Sequence, residues 1–598
     1  MSPAQRRSRT RNRPTPSSAS RQAPRQPSAQ PFIPPLDLNN RQIRILRLLP
    51  AQNRTDSIRC TLHTAYLERK PFYEALSYAW GDPAVARQII VNERAVNVTV
   101  NLAAALRRLR RRYGDRRLWV DALCINQQDN DEKSHQVNLM KDIYAKAPKA
   151  ILWLGDFSDD SQAAIGAPPN PSVAMTKRQA VTAFRVLRRL AQLKIDSCAT
   201  PSRRALAPTP AEEDAVEALV QLPWWTRVWT VQEAILPRAP AIVYGSLQIP
   251  LDTLLRASYS TQEHQFKRCC EQPEFEALLE KAHPLRYVRE AATGDFLSHL
   301  TFADALNLFR YREASDPRDR VFALLGLGST ITADYALSWE EVFMSSVRQQ
   351  IAESGDLRFL RRIPERSRYR GLPTWAPDWS AEVDDMASCA ITWLHIYDYY
   401  HAAGETVASI GHSSSQLVLS LKGYMVDRVS KVDRRHADIM AMDDTSARWK
   451  VMVEESCQAI NPYRGRFDDA FWRLMICDLV QVALPEDKRL TWRRAEVGDE
   501  ANSRKQWEDP ISSVLPPAHR RRFFMTDLGK MGIGDEDIKV GDMVSVLLGG
   551  LMPFILRPAG GGEGGVAFYQ LVGQTYVHGI MDGEVTREGR QPEWVGLV

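Results

Sequence analysis

Three clusters between Tyr73 and Gly245 hold side chains able to do chemistry: Trp80–Gly81–Asp82, Asp121 to Gln127, and Trp224 to Glu233. In the third, WWTRVWTVQE, Trp229 and Glu233 stand four apart, so a helix puts them on one face, with Gln232 adjacent and Arg227 a short turn earlier. An indole beside a carboxylate can stack on a flat base or pyridinium while the acid holds a ribose hydroxyl or a developing positive charge. That pairing suits N-glycosidic cleavage, whose transition state resembles an oxocarbenium ion and is stabilised by a fixed negative group. A structural role suits the same residues: Trp224, Trp225 and Trp229 as core, and Glu233 as the partner of Arg227 or Arg238. A nucleophilic cysteine is the other candidate. Cys124 follows a strand end with His135 further along the chain, an order that permits a pair, but free Cys is commonly a small buried hydrophobe.

The elements around these clusters determine whether they can meet. Leu118–Leu123 is an apolar run of strand length, followed by a polar loop, Asn126–Asp131. Ser134 can cap a helix whose one side carries Val137, Met140, Tyr144 and Ala147 and which Pro148 ends. Ala150–Leu154 is a second apolar strand, closed by Gly155. Apolar strands joined by an amphipathic helix predict a doubly wound parallel sheet, which binds ligands at the carboxyl ends of its strands. Tyr73–Ala79 runs as another strand into the Trp80–Gly81–Asp82–Pro83 turn. On this reading Trp80, Asp121, Trp229 and Glu233 surround one cleft, with Asn126 and Gln127 just beyond a strand end. Further strands are expected at Ile43–Leu49, Ile58–Leu62 and Ala241–Tyr244, a hairpin of Gln88–Val91 and Ala95–Val98 about Glu93–Arg94, and a helix at Leu102–Tyr113.

The chain of 598 residues exceeds one core, and about two to four domains are expected. Residues 1–34 are basic, rich in Ser and Pro and free of acids, so they read as a disordered tail, with a nuclear signal as one use of it. Residues 36–248 read as the first domain, its motifs within 70–245 and an insertion at 158–210. Residues 249–380 read as mainly helical, with Ser338–Glu341 as a capping box and Asp316–Pro317–Arg318–Asp319 opening a helix. Residues 381–598 read as an α+β region with helical stretches near 446–460 and 467–483, ending in a small β-barrel or sheet; Gly560–Gly565 is its hairpin tip. A net charge of +6 is modest for this length and gives no reason to expect nucleic acid. The eight cysteines are dispersed without CxxC pairs, so neither a disulfide framework nor a metal site is expected. Met543–Leu556, the longest apolar stretch, is broken by Gly549, Gly550 and Pro553, so no membrane span is expected.

The segments YEALSYAWGDP at 73–83, LWVDALCINQQD at 118–129, the helix at 135–144, ILWLG at 151–155 and WWTRVWTVQE at 224–233 together resemble the fungal heterokaryon incompatibility (HET) domain family. DPRDRVFALLGL at 316–327, LPTWAPDWS at 372–380 and the segment near 541–584 resemble the C-terminal part of such proteins. The resemblance implies a cytoplasmic effector of cell death in vegetative incompatibility, self-associating on activation and answering to an incompatibility partner protein. The family is in turn similar to TIR domains, whose first strand has the form Y-D-V-F-L-S-F and whose helix carries W-C-L-x-E. Tyr73–Tyr78 echoes the first and Trp229–Glu233 keeps the spacing of the second, with Thr230 in place of the cysteine. What this implies is NAD as substrate, with no permanently bound cofactor. Glu233 would be the catalytic group, and Trp80, Gly81, Asp121, Asn126 and Trp229 would be the binding residues. A non-enzymatic interaction module and a cysteine-dependent hydrolase are the alternatives.

Overall fold

The computed structural model describes residues 33–82, 84–158, 174–193, 208–267, 275–293, 300–361, 371–381, 397–433, 451–452, 462–463, 467–483, 490–499 and 522–598. The basic tail, both insertion loops and most of the stretch near 446–460 lie outside them.

The first sheet is built from β1 (Gln42–Leu48), β2 (Arg59–Tyr66), β3 (Glu74–Tyr78), β4 (Ala86–Val91), β5 (Arg94–Thr99), β6 (Arg116–Trp119), β7 (Lys149–Gly155), β8 (Pro240–Tyr244) and β9 (Leu247–Pro250). Their order is β5-β4-β2-β1-β6-β3-β7-β8-β9. The four central strands, β6, β3, β7 and β8, run parallel, and the inner two are covered on both faces: β3 is buried at every position and β7 from Ala150 to Leu154. The flanks are not parallel throughout, and the sheet is mixed. Strands β8 and β9 are joined by the two residues Gly245 and Ser246, and β4 and β5 by Asn92 and Glu93, so each pair must be antiparallel. Asn92 and Glu93 both take positive φ, 49° and 60°, the signature of a type I′ turn. The hairpin thus turns one residue earlier than its sequence suggested.

Helix α1 (Val100–Leu109) packs on β4, β5 and β7. Where a strand was expected to continue to Leu123, the chain instead leaves β6 at Trp119 and winds one helical turn, α2 (Asp121–Cys124). Helix α3 (Asn130–Lys146) begins four residues before the expected cap. Asp129 accepts from the amides of Asp131 and Glu132, while the Ser134 hydroxyl accepts from the Tyr335 amide, 3.0 Å away. Then follow α4 (Lys177–Leu190), α5 (Pro210–Val220) with the Thr209–Glu212 capping box, and α6 (Thr230–Ile235), which packs on β3 and β7.

The middle of the chain is helical: α7 (Leu251–Lys267), α8 (Glu276–Thr293), α9 (Phe302–Leu308), α10 (Asp319–Phe322) and α11 (Trp339–Ser354), the last opened by the Ser338–Glu341 capping box. No described helix is long and apolar enough to cross a membrane. In the C-terminal region α12 (Phe467–Met475) is shorter than expected. Cys477 and Asp478 take positive φ and turn the chain into β11 (Leu479–Ala483), paired with β12 (Leu490–Arg494).

The second sheet is organised by β10 (Leu419–Val432), which pairs in succession with β19 (Glu593–Leu597), β15 (Met543–Leu547) and β13 (Arg522–Thr526). Strands β16 (Phe554–Glu563) and β17 (Val566–Gln574) form a hairpin turned by Gly564–Gly565, both at positive φ. Since β15 pairs with β16, β16 with β17, and β17 with β19, the pairings return to β10 in a ring. Strands β14 (Met531–Gly534) and β18 (Tyr576–Val577) extend the sheet beyond β13. One apolar cluster runs from Ile43 through the middle helices to Leu419, Phe554, Leu571 and Leu597, so the sheet, the helices and one face of the C-terminal strands share a core. The irregular segment around Trp375 lies at that junction. Thr374 donates its amide to the Val598 carbonyl at 3.0 Å, and Trp375 donates Nε1 to the Leu417 carbonyl at 2.9 Å.

Candidate functional site

In chain order the four parallel strands are β3, β6, β7 and β8, but in space β6 and β7 flank β3. Strand order therefore reverses beside the carboxyl end of β3, the place where open sheets of this kind take ligands. Trp80 stands there, 36% exposed, followed by Gly81 at φ +77°, a conformation that favours glycine though a Cβ would meet nothing within 4 Å. Trp80 donates Nε1 to Asp121 Oδ2 at 2.8 Å. Asp121 starts α2 just past the end of β6, and its Oδ1 accepts from the Ala122 amide at 2.7 Å. Burial pushes the Asp121 carboxyl up, against the pull of Arg227 and the Trp80 donor. Arg227 donates to the Tyr78 carbonyl, and its guanidinium lies 5.5 Å from the centre of the Trp80 ring.

Glu233 enters the same cluster from α6. It is 2% exposed, and its Oε2 has no hydrogen-bond partner of good geometry. Its neighbours are the Arg227 guanidinium, the Asp121 carboxylate and the hydroxyls of Ser77 and Tyr144. Ser77 accepts from Trp224 Nε1 at 2.8 Å and so keeps its own proton available, while Tyr144 donates to the Leu76 carbonyl at 3.2 Å. Burial, more than any charge, pushes Glu233 up to about 7; Arg227 opposes this and Asp121 adds to it. A carboxylate poised near neutrality can exchange a proton or face a cation at physiological pH. Burial likewise pushes the Tyr78 and Tyr144 phenols far up, so both stay neutral.

Of the residues singled out in the sequence, Trp80, Gly81, Asp121 and Glu233 converge on this end of the sheet. Trp229 does not join Trp80. Its Nε1 donates to Asp319 Oδ2 at 2.9 Å, tying it to α10, because the six-residue helix starts only at Thr230 and leaves Trp229 at its cap. Asn126 is occupied within its own loop: its amide donates to Glu132 Oε1 at 2.7 Å and its Oδ1 accepts from the Gln128 amide at 3.2 Å. Ser77 and Tyr144 were not anticipated as part of the site, whereas Trp224, fully buried as a core residue would be, meets it through Ser77. The signal for Ser77 was a hydroxyl between Leu76 and Tyr78 in a strand buried at every position.

Burial argues against the cysteine reading. Cys124 is fully buried, and desolvation pushes its thiol up to about 12, so almost no thiolate exists at neutral pH. His135 instead lies beside the Gln136 amide, its ring Nδ1 at 3.1 Å. Among the described residues no group of three or more His, Cys, Asp or Glu could hold a metal ion.

Comparison with known proteins places this geometry. The family "Heterokaryon incompatibility protein (HET)" matches residues 73–233, a segment that opens at β3 and closes on Glu233 and so encloses the whole cluster. The Het-6 beta-barrel domain matches residues 486–595. The chain is similar to "Heterokaryon incompatibility protein 6, OR allele" of Neurospora crassa, at 26% identity over 664 aligned residues covering 91% of this chain and 94% of the relative. No solved structure matches at a significant level. The two family matches fall in the same order as the sequence motifs, and with the relative aligned over nearly its full length they make this chain similar, in both its N-terminal and C-terminal parts, to heterokaryon incompatibility proteins that carry the HET domain.

Proposed function

We propose that this protein acts in fungal heterokaryon incompatibility as an effector of cell death. The observation that carries the reading is its similarity to Heterokaryon incompatibility protein 6 over nearly the full length of both chains. Deleting the gene is expected to let an otherwise incompatible pairing of strains form a stable heterokaryon, and an unchanged incompatibility reaction would overturn the role. We place it in the cytoplasm, or in the nucleus by way of the basic tail, self-associating on activation and answering to a partner protein. The ring of pairings through β10, β15, β16, β17 and β19 supports a small closed barrel in the C-terminal region.

For the N-terminal sheet we infer a TIR-like domain that cleaves NAD. The strand order around β3 and the convergence of Trp80, Asp121 and Glu233 support it. Ionised Glu233 would stabilise positive charge on the ribose as its bond to nicotinamide breaks and water adds. Trp80 would stack on the ring system, Asp121 would fix that indole, and Gly81 would let the loop approach. Asn126 would shape the rim, while Trp229 would brace α6 from outside. The test is NAD consumption by the full chain under conditions that drive self-association. Glu233→Gln is expected to lower turnover about 100-fold or more, and equal turnover would remove Glu233 from the chemistry.

One observation favours a second reading, a non-enzymatic module that acts by assembly. Glu233 is almost wholly buried with a guanidinium in its surroundings, as a structural acid would be. On that reading Glu233→Gln still triggers death on overexpression and the purified chain leaves NAD intact.

A further inference from the structure

Between α3 and the segment 325–332 lies a cavity of about 150 Å³, whose lining includes Lys141, Gln232, Gly326, Ser329, Thr330 and Thr332. Gln232 precedes Glu233 on the same short helix but borders this cavity instead. It is 2% exposed, and its Nε2 is buried with no hydrogen-bond partner. A donor left in that state is costly, and a leucine there would have avoided the cost. Gly326 lets its backbone pack closely against α3 and α6 at the edge of this space. A Cβ on it would come within 2.7 Å of Leu236 Cδ1, 3.1 Å of Gln232 Oε1 and 3.2 Å of Lys141 Cβ, so bare backbone forms this wall.

The lining is rich in donors. Lys141 is exposed on α3 and brings an ammonium, and no carboxylate stands among the lining residues. Ser329 Oγ accepts from the Ile331 amide at 3.1 Å and keeps its proton, whereas the Thr330 hydroxyl is engaged by Glu353. From this arrangement we infer that the cavity binds a small oxyanion, either free phosphate or the phosphate or carboxylate end of a small metabolite. Lys141 supplies charge, and Gln232 Nε2 with the hydroxyls of Ser329 and Thr332 supplies directed hydrogen bonds. A space of about 150 Å³ holds a molecule the size of benzene, so the anionic group and few further atoms fit. The site lies at the seam between the N-terminal sheet region and the middle helices, and an occupant ties α6 to both. It requires no NAD chemistry at Glu233.

Thermal unfolding of the full chain, titrated with inorganic phosphate and separately with acetate at constant ionic strength set by chloride, tests this. A saturable rise in Tm with either anion is expected, and the better of the two identifies the oxyanion preferred. Lys141→Glu and Gln232→Met are each expected to raise the apparent Kd at least about tenfold. Lys146→Glu, an equal charge change at the end of the same helix, should leave it unchanged. No saturable shift with either anion, an unchanged Kd in Lys141→Glu, or an equal loss in Lys146→Glu would overturn the proposal.

Discussion

Replacing Arg44 by alanine is expected to destabilise the chain by about 3–5 kcal/mol, read as a fall in the denaturant midpoint. Arg44 lies on β1 and is 1% exposed. It donates to both Glu132 oxygens, at 2.6 and 2.9 Å, to the Cys124 carbonyl at 2.9 Å and to the Pro34 carbonyl at 2.6 Å. Glu132 also accepts the Asn126 amide, so one buried pair holds the loop after α2 and the start of α3 against the sheet. Removing one partner leaves a charge uncompensated in the interior, whereas replacing both with apolar groups of similar volume removes the desolvation cost as well. The double variant Arg44→Met, Glu132→Met should therefore recover most of the loss. If it is no more stable than Arg44→Ala, the pair is not the source of the effect.

A second large effect concerns pH. In the folded chain Glu233 titrates at about 7, above its ordinary 4.5. A group whose folded value is raised holds its proton more tightly when folded. Its stabilising contribution is complete below the unfolded value and is lost as pH rises through about 7. At one pKa unit per 1.36 kcal/mol, keeping Glu233 ionised costs on the order of 3 kcal/mol by pH 9. Glu233→Gln keeps the volume and cannot ionise. Its stability relative to the parent chain should be near equal at pH 4 and rise by roughly that amount between pH 5 and 8. Parallel stability curves across this window would show that water or ion pairing already solvates the carboxylate.

Much of the local structure was legible because it is specified locally. The apolar run Ala150–Leu154 and the strand-like Tyr73–Ala79 identified two of the parallel strands, and Thr209 and Ser338 marked their helices through side chains three residues away. What escaped depended on partners far along the chain or on conformations without a residue signature. The apolar text of Leu118–Leu123 suits a strand and a helix turn equally, and only the seating of Asp121 beneath Trp80 decides between them. Cys477 and Asp478 enter the left-handed region although neither is Gly or Asn, so nothing in the text stops α12 at Met475. Convergence of the three polar clusters could be inferred from strand topology, but the turning of Trp229 toward Asp319, 90 residues on, could not.

That separation affects how the protein is made. Helix α6 is fixed from outside by residues synthesised long after it: Trp229 by Asp319, the Val228 amide by the Glu313 carbonyl at 3.0 Å, and Thr230 by Arg312 at 3.0 Å. At ordinary elongation rates those 90 residues take roughly 5–20 seconds, during which α6 lacks these outside ties. A chain that ends before Arg312 lacks all three of these outside contacts to α6.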